Sequence, residues 1–199
     1  MTALAPPKRS LGLGLFFVIA GVVGFAAAFA LTLDKFEILK NPKAALGCNF
    51  SVLVQCGANL NSPQGAVFGF PNPLLGVAGF MAIIVIGAAI LSGARFDRWF
   101  WLVLNAGMLG ALIFVIWLIG QSIFVLGTLC PWCMVVWSAT IPLFLVVTLG
   151  NIRSGAFGLP QRVLRGAGAV FTWIPFITLL CYLIVATIAQ LRLDVLRHL

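Results

Sequence analysis

Along this chain, apolar runs of about twenty residues alternate with short polar stretches. The runs cover residues 11–33, 74–92, 99–119, about 130–149 and 168–191. Roughly 20 helical residues cross the ~30 Å of hydrocarbon in a bilayer, so the pattern predicts an all-α integral membrane protein with five transmembrane helices. The first run follows a polar leader, residues 1–10, and resembles a signal peptide. It is longer than an ordinary signal core, and no small-residue cleavage site precedes Asp34 and Lys35, so an uncleaved span is expected. The four Asp and Glu side chains and twelve Lys and Arg make up only 8% of the 199 residues, against 62% hydrophobic. A soluble domain carries about a quarter charged residues, which excludes that class. No repeat or low-complexity tract divides the chain, and a single membrane domain over 1–199 is expected.

The fourth run begins near Ser122 and contains Pro131 and Pro142. Proline at the first helical position loses no hydrogen bond, whereas further inside it removes one. The helix is therefore predicted to open at Cys130 and Pro131, with 120–129 as an interfacial connection. Pro142 and Pro175 are expected to kink their helices. The only sizeable polar piece is 34–73, rich in Gly, Asn, Pro and Ser. Its apolar residues Phe50, Val52, Leu53, Val54, Val67, Phe68 and Phe70 predict an extracytoplasmic cap folded down on the bundle.

The formal net charge of +8 is spread between the runs instead of forming one patch, so it reads as topology and not as nucleic-acid binding. Five spans put Lys8, Arg9, Arg95, Arg98, Arg153, Arg162 and Arg165 on one side. Lys35, Lys40, Lys43, Arg192 and Arg197 fall on the other. The positive-inside rule places the first set in the cytoplasm. Cys48, Cys56, Cys130 and Cys133 then share the extracytoplasmic face, where disulfides persist.

Two cysteine pairs at a membrane face point to dithiol–disulfide chemistry. In Cys130-Pro131-Trp132-Cys133 the thiols meet across a first helical turn, and the free amides at the helix N-terminus stabilise a thiolate. A bond between Cys48 and Cys56 would close a small loop in the cap. Two other readings remain: a structural disulfide, or a zinc site of four cysteines. The seven residues between Cys48 and Cys56 are unlike the usual zinc spacing of two to four, which favours redox.

Cys48, Cys56, Ser62, the run Gly69-Phe70-Pro71-Asn72-Pro73-Leu74-Leu75-Gly76, and Cys130-Pro131-Trp132-Cys133 resemble, in order and spacing, the vitamin K epoxide reductase family. The likeness is to its bacterial, disulfide-generating branch. The motifs run from about 48 to 137, and the hydropathy pattern extends the resemblance over most of the chain. The resemblance implies a four-helix bundle around a quinone of the menaquinone or ubiquinone type, with one extra helix. It also implies electron relay from a secreted or periplasmic thioredoxin-fold thiol protein, expected here as a separate chain. By the same resemblance Cys48 exchanges with the partner, Cys56 shuttles to Cys130, and Cys133 faces the quinone. Asn72 would donate its amide to a quinone carbonyl, and Ser62 would support the loop.

Each of these has a plainer role beside it. Asn72 before Pro73 is an expected N-cap, and Ser62 an expected turn residue with Pro63. Where many relatives carry a quinone-binding tyrosine, four residues after Cys133, this chain has Trp137. One helical turn puts its ring on the face of Cys133, as pocket lining with an indole N–H donor or as a membrane anchor. Cys181 is expected to be a small buried hydrophobe in the fifth span. The only acids are Asp34, Glu37, Asp97 and Asp194, and the single histidine is His198, so no proton donor to a quinone stands out. The expected activity is quinone-dependent thiol oxidation, the alternatives being vitamin K epoxide or quinone reduction and a non-enzymatic scaffold with a disulfide-held cap.

Overall fold

The computed structural model describes residues 11–42 and 46–194. Lys8, Arg9, Lys43, Arg197 and His198 lie outside the described residues. Five helical stretches are long and apolar enough to span a bilayer, as the hydropathy pattern predicts. They are α1 (Leu11–Lys40), α3 (Pro73–Leu91), α4 (Arg98–Gly120) with a π-helical continuation over Gln121–Leu126, α5 (Pro131–Arg153) and α7 (Ile174–Leu193). The short α2 (Gly57–Asn61) lies in the cap, and α6 (Gln161–Phe171) precedes α7.

Lipid offers no hydrophobic reward for bringing helices together, so close packing must hold them. On α1 the glycines Gly14, Gly21 and Gly24 let α3 approach. A Cβ on Gly24 would lie 2.3 Å from the Phe80 ring, and one on Gly87 would lie 2.9 Å from the Gly14 carbonyl oxygen. Phe17, Phe80, Ile83, Met108, Leu143 and Val147 fill the core between α1, α3, α4 and α5. Asn151 on α5 donates to Trp101 O at 2.8 Å and to Asn105 Oδ1 at 3.2 Å on α4, a polar tie of the kind that joins helices in lipid. Helix α3 packs on α1, α1 on α5 and α5 on α4, while α3 and α4 scarcely touch. The space between them is a cavity.

Several boundaries differ from expectation. Helix α1 runs on to Lys40, so Asp34 stands on a helix and not in the cap. The stretch 120–129 is not a connection as a whole: the α4 helix continues to Leu126, because nothing breaks it before Gly127 turns left-handed at φ 64°. The run 168–191 is two helices. Pro175 sits in the first turn of α7, where its missing N–H loses no bond, so it starts a helix instead of kinking one. Helix α6 is amphipathic and lies against α5, with the Arg153 guanidinium 5.3 Å from the centre of the Phe171 ring. Helix α5 is unbroken through Pro142. The carbonyl four residues back, Ser138 O, has no intrahelical donor and instead accepts from the Tyr182 hydroxyl of α7 at 2.5 Å. The apolar cap residues fold down only in part: Phe68 packs on Phe114 of α4 and Leu53 and Val54 are half-buried, whereas Phe50 and Val52 are 72% and 83% exposed. Leu46, Cys48, Cys56 and Leu60 form the buried underside.

Three substitutions test this packing. Gly87→Ala forces its new methyl against backbone and should destabilise the protein by about 1–3 kcal/mol. Gly150→Ala, which meets open space, should leave the melting temperature in detergent unchanged; equal melting of the two variants would contradict the close approach of α1 and α3. Tyr182→Phe strands the Ser138 carbonyl at a cost of about 1–3 kcal/mol, and a melt matching the parent would show that this bond does not hold α7 to α5.

Candidate active site

The cap is attached to the bundle by polar contacts that set the positions of its cysteines. Lys35 on α1 donates to Leu60 O at 2.7 Å. Asn49 Oδ1 accepts from Cys56 N at 3.0 Å and Gly57 N at 3.3 Å, which satisfies the free amides opening α2. Leu129 N donates to Leu53 O at 2.7 Å, and Gln55 N donates to Leu129 O at 2.9 Å, a single parallel bridge between the cap and the segment entering α5. Asn59 Nδ2 adds a bond of 3.0 Å to Thr128 Oγ1. Cys56 and Cys130 are thereby buried completely, among Leu31, Ile38, Leu46 and Leu60.

The four sulfurs predicted from the sequence come together at one end of the bundle. Cys48 and Cys56 form a disulfide, whereas Cys130 and Cys133 are free thiols. Cys130 Sγ lies 3.4 Å from Cys56 Sγ, which places it to attack that disulfide at Cys56 and release Cys48. Cys130 is the extended residue before Pro131, and its sulfur accepts from Cys133 N at 3.3 Å. One residue outside the span, its thiol is held below the ordinary cysteine value. The Cys133 side chain contributes most, burial works against it, and the backbone amides of Cys133 and Trp132 add to the lowering. On the far side of the disulfide, Cys48 Sγ lies 3.3 Å from Asp34 Oδ2. Ligand atoms of Asp34, Cys48 and Cys56 lie within 4.8 Å of one another. The sulfurs of Cys48 and Cys56 are bonded to each other and in this state offer that set no thiolate.

Cys133 opens on the cavity between α3 and α4, which measures about 780 Å³. Its wall is almost wholly apolar, with Phe68, Phe80, Met108 and Phe114 among the lining, and Ser62, Asn72 and Trp137 also line it. Asn72 occupies the expected N-cap position before Pro73 but does not cap with its side chain. Its backbone is already helical, with φ −55° and ψ −33°, and its side chain makes no capping bond. Instead Oδ1 accepts from Val67 N at 3.1 Å and Nδ2 donates to Gln64 O at 2.6 Å, so it clasps the turn over 63–67 onto the start of α3. Partners in the preceding turn outcompeted the cap. Ser62 is the expected turn residue: it precedes Pro63, and its hydroxyl donates to Asn59 O at 2.8 Å. Trp137 is buried and lines both this cavity and a second of about 460 Å³ between α4, α5 and α7. Cys181 is half-buried on α7, not enclosed in the core.

Sequence reasoning gave no role to Asp34, Gln64 or Gln121. Gln64 and Gln121 line the cavity and bond to each other, Nε2 to Oε1, at 3.2 Å. Gln64 Oε1 is buried with no partner. The one available signal for Gln121 was a polar residue ending an apolar run, and for Asp34 an acid on the side of the cysteines.

No match was found among curated proteins. A scan of protein families, however, matches residues 15–148 to the vitamin K epoxide reductase family, from within α1 to near the end of α5. That match takes in both cysteine pairs and the α1, α3, α4 and α5 walls of the cavity, and most of the chain. This membrane protein therefore belongs to the vitamin K epoxide reductase family.

Proposed function

We propose that the protein is a membrane thiol oxidase, which passes electrons from an extracytoplasmic thioredoxin-fold protein, through its two cysteine pairs, to a membrane quinone. The observation that carries this reading is the line of sulfurs from the Cys48–Cys56 disulfide, through Cys130 at 3.4 Å, to Cys133 in the cavity wall.

A partner thiolate attacks Cys48, the Cys48–Cys56 bond breaks, and Cys56 leaves as a thiolate. The partner's second thiol displaces Cys48 and leaves the partner oxidised. Cys56 then attacks Cys130 in a Cys130–Cys133 disulfide and releases Cys133. Cys48 next attacks Cys56, remakes the cap disulfide and frees Cys130. Two electrons now reside on the thiols of Cys130 and Cys133, and the sulfur arrangement described above corresponds to this point in the cycle.

The cavity fits a quinone ring: ligand sites commonly enclose about 300–1,000 Å³ and are mostly apolar with few polar groups. When bound, a quinone takes up two electrons and two protons. Cys133 presents its thiol to that space. Asn72 gives one amide hydrogen to Gln64 and keeps a second for a carbonyl, while Trp137 packs along the ring. Sidedness follows from charge. Arg95, Arg98, Arg153, Arg162 and Arg165 stand at the end of the bundle away from the cysteines, where the positive-inside rule expects the cytoplasm.

The relay requires a Cys56–Cys130 intermediate that Cys133 resolves. Cys133→Ala should accumulate that disulfide, found by peptide mapping after free thiols are blocked, and should abolish oxidation of a dithiol substrate. Only Cys48–Cys56 with free Cys130, under every redox condition tried, would refute the relay.

A further inference from the structure

We propose that Asp34 is the acid and base that carries the proton off and onto Cys48 as the cap disulfide is made and broken, an inference that rests on the relay of Cys56 to Cys130. The apolar run of α1 ends at Asp34, and the helix continuing to Lys40 lifts this carboxylate beside the disulfide. Its Oδ2 lies 3.3 Å from Cys48 Sγ, whereas the Cys130 sulfur lies 3.4 Å from the other sulfur of the bond, that of Cys56. Oδ2, Cys48, Cys56 and Cys130 are thus linked contact by contact in a bent row, with Oδ2 also within 4.8 Å of the Cys56 sulfur. Asp34 stands beside the sulfurs of Cys48 and Cys56 from the cap, and its charge reaches Cys130 at the start of α5. Lys35, next to it on α1, directs its ammonium to Leu60 O and Asn61 Oδ1.

The two ends of this row treat charge differently. Cys130 has a helix N-terminus and the Cys133 N–H to hold a thiolate. Cys48 is buried and faces a carboxylate, where a second negative charge is disfavoured by burial and by repulsion. Cys48 must therefore give up its proton as it attacks and regain one as it leaves. When Cys48 closes on Cys56, the Cys48–Cys56 bond forms and the Cys56–Cys130 bond breaks. The electron pair goes to Cys130, which leaves as a thiolate, and the Cys48 proton passes to Asp34. In the reverse direction Cys130 thiolate attacks Cys56, and protonated Asp34 returns its proton to the departing Cys48. Asp34 touches a reacting sulfur, which makes it a catalytic residue of the exchange.

The test uses the full chain carrying Cys133→Ala in detergent, with neither quinone nor partner, so that it is independent of both. Excess N-ethylmaleimide is added, and mass mapping follows the rate at which Cys48 is alkylated while Cys56 and Cys130 become bonded. Asp34→Asn should slow this exchange about tenfold or more near neutral pH. The deficit should shrink as pH rises, because Asp34 then less often holds the proton it must return to Cys48. Asp34→Glu should recover much of the rate with the parent pH profile, and it carries the test alone if the Asn variant fails to fold. An Asn variant within about twofold of the parent, or either variant slowed by one factor at every pH, would overturn the proposal, the latter marking a purely structural role. If no Cys56–Cys130 disulfide forms with Asp34 intact, the relay itself has failed and the role of Asp34 with it.

Discussion

The contact between the sulfurs of Cys130 and Cys56, at 3.4 Å, is the constraint that the rest of the structure serves. Thiol–disulfide exchange needs its three sulfurs in reach of one another, and a fraction of a helical turn is enough to separate them. The cap is too short and too polar to hold such a distance alone. It is fixed by α1 through Lys35, by α5 through the Leu53–Leu129–Gln55 bridge, and by α4 through Gln64 and Gln121. Each bond also satisfies backbone or amide groups that would otherwise be left unpaired near lipid. Holding the cap and solvating its polar groups are the same set of interactions.

Below the sulfurs, the bundle is tight on one side and open on the other. Glycines on α1 and α3 bring those helices together, while α3 and α4 part around the cavity. This division suits a site that must keep Cys130 buried and still let Cys133 meet a lipid-soluble molecule. The fifth span, α7, lies outside that division and packs on α5, where Tyr182 completes the hydrogen bonding that Pro142 leaves open. Its hydroxyl explains how a proline is accommodated in the middle of a helix next to the site.

The sequence made the architecture legible because a bilayer imposes a single demand on length and polarity, and five runs meet it. The same demand says little about where helices end. Asp34 to Lys40 and Gln121 to Leu126 are helical beyond the predicted spans because packing and intrahelical bonds continue to favour helix there. The break between α6 and α7 escaped notice because both sides of it are apolar enough to read as one span. Among site residues, the four cysteines were legible from spacing and motif. Asn72 was legible as the N-cap position, but its side-chain bonds were not, since its partners Val67 and Gln64 are set by the fold of the preceding turn. The nearness of Asp34 to Cys48 depends on how a loop fourteen residues downstream folds back on α1, which no local pattern encodes.

The central claim is that this chain couples dithiol oxidation to quinone reduction through Cys133. It is tested most directly by mixing the purified full-length protein with a soluble dithiol and a short-chain quinone, following quinone absorbance and free thiol together. The account predicts one quinol formed for each dithiol oxidised, with both changes lost when Cys130 or Cys133 is replaced by Ala. Quinone reduction that continues without those cysteines, or thiol oxidation with no quinol formed, would contradict it.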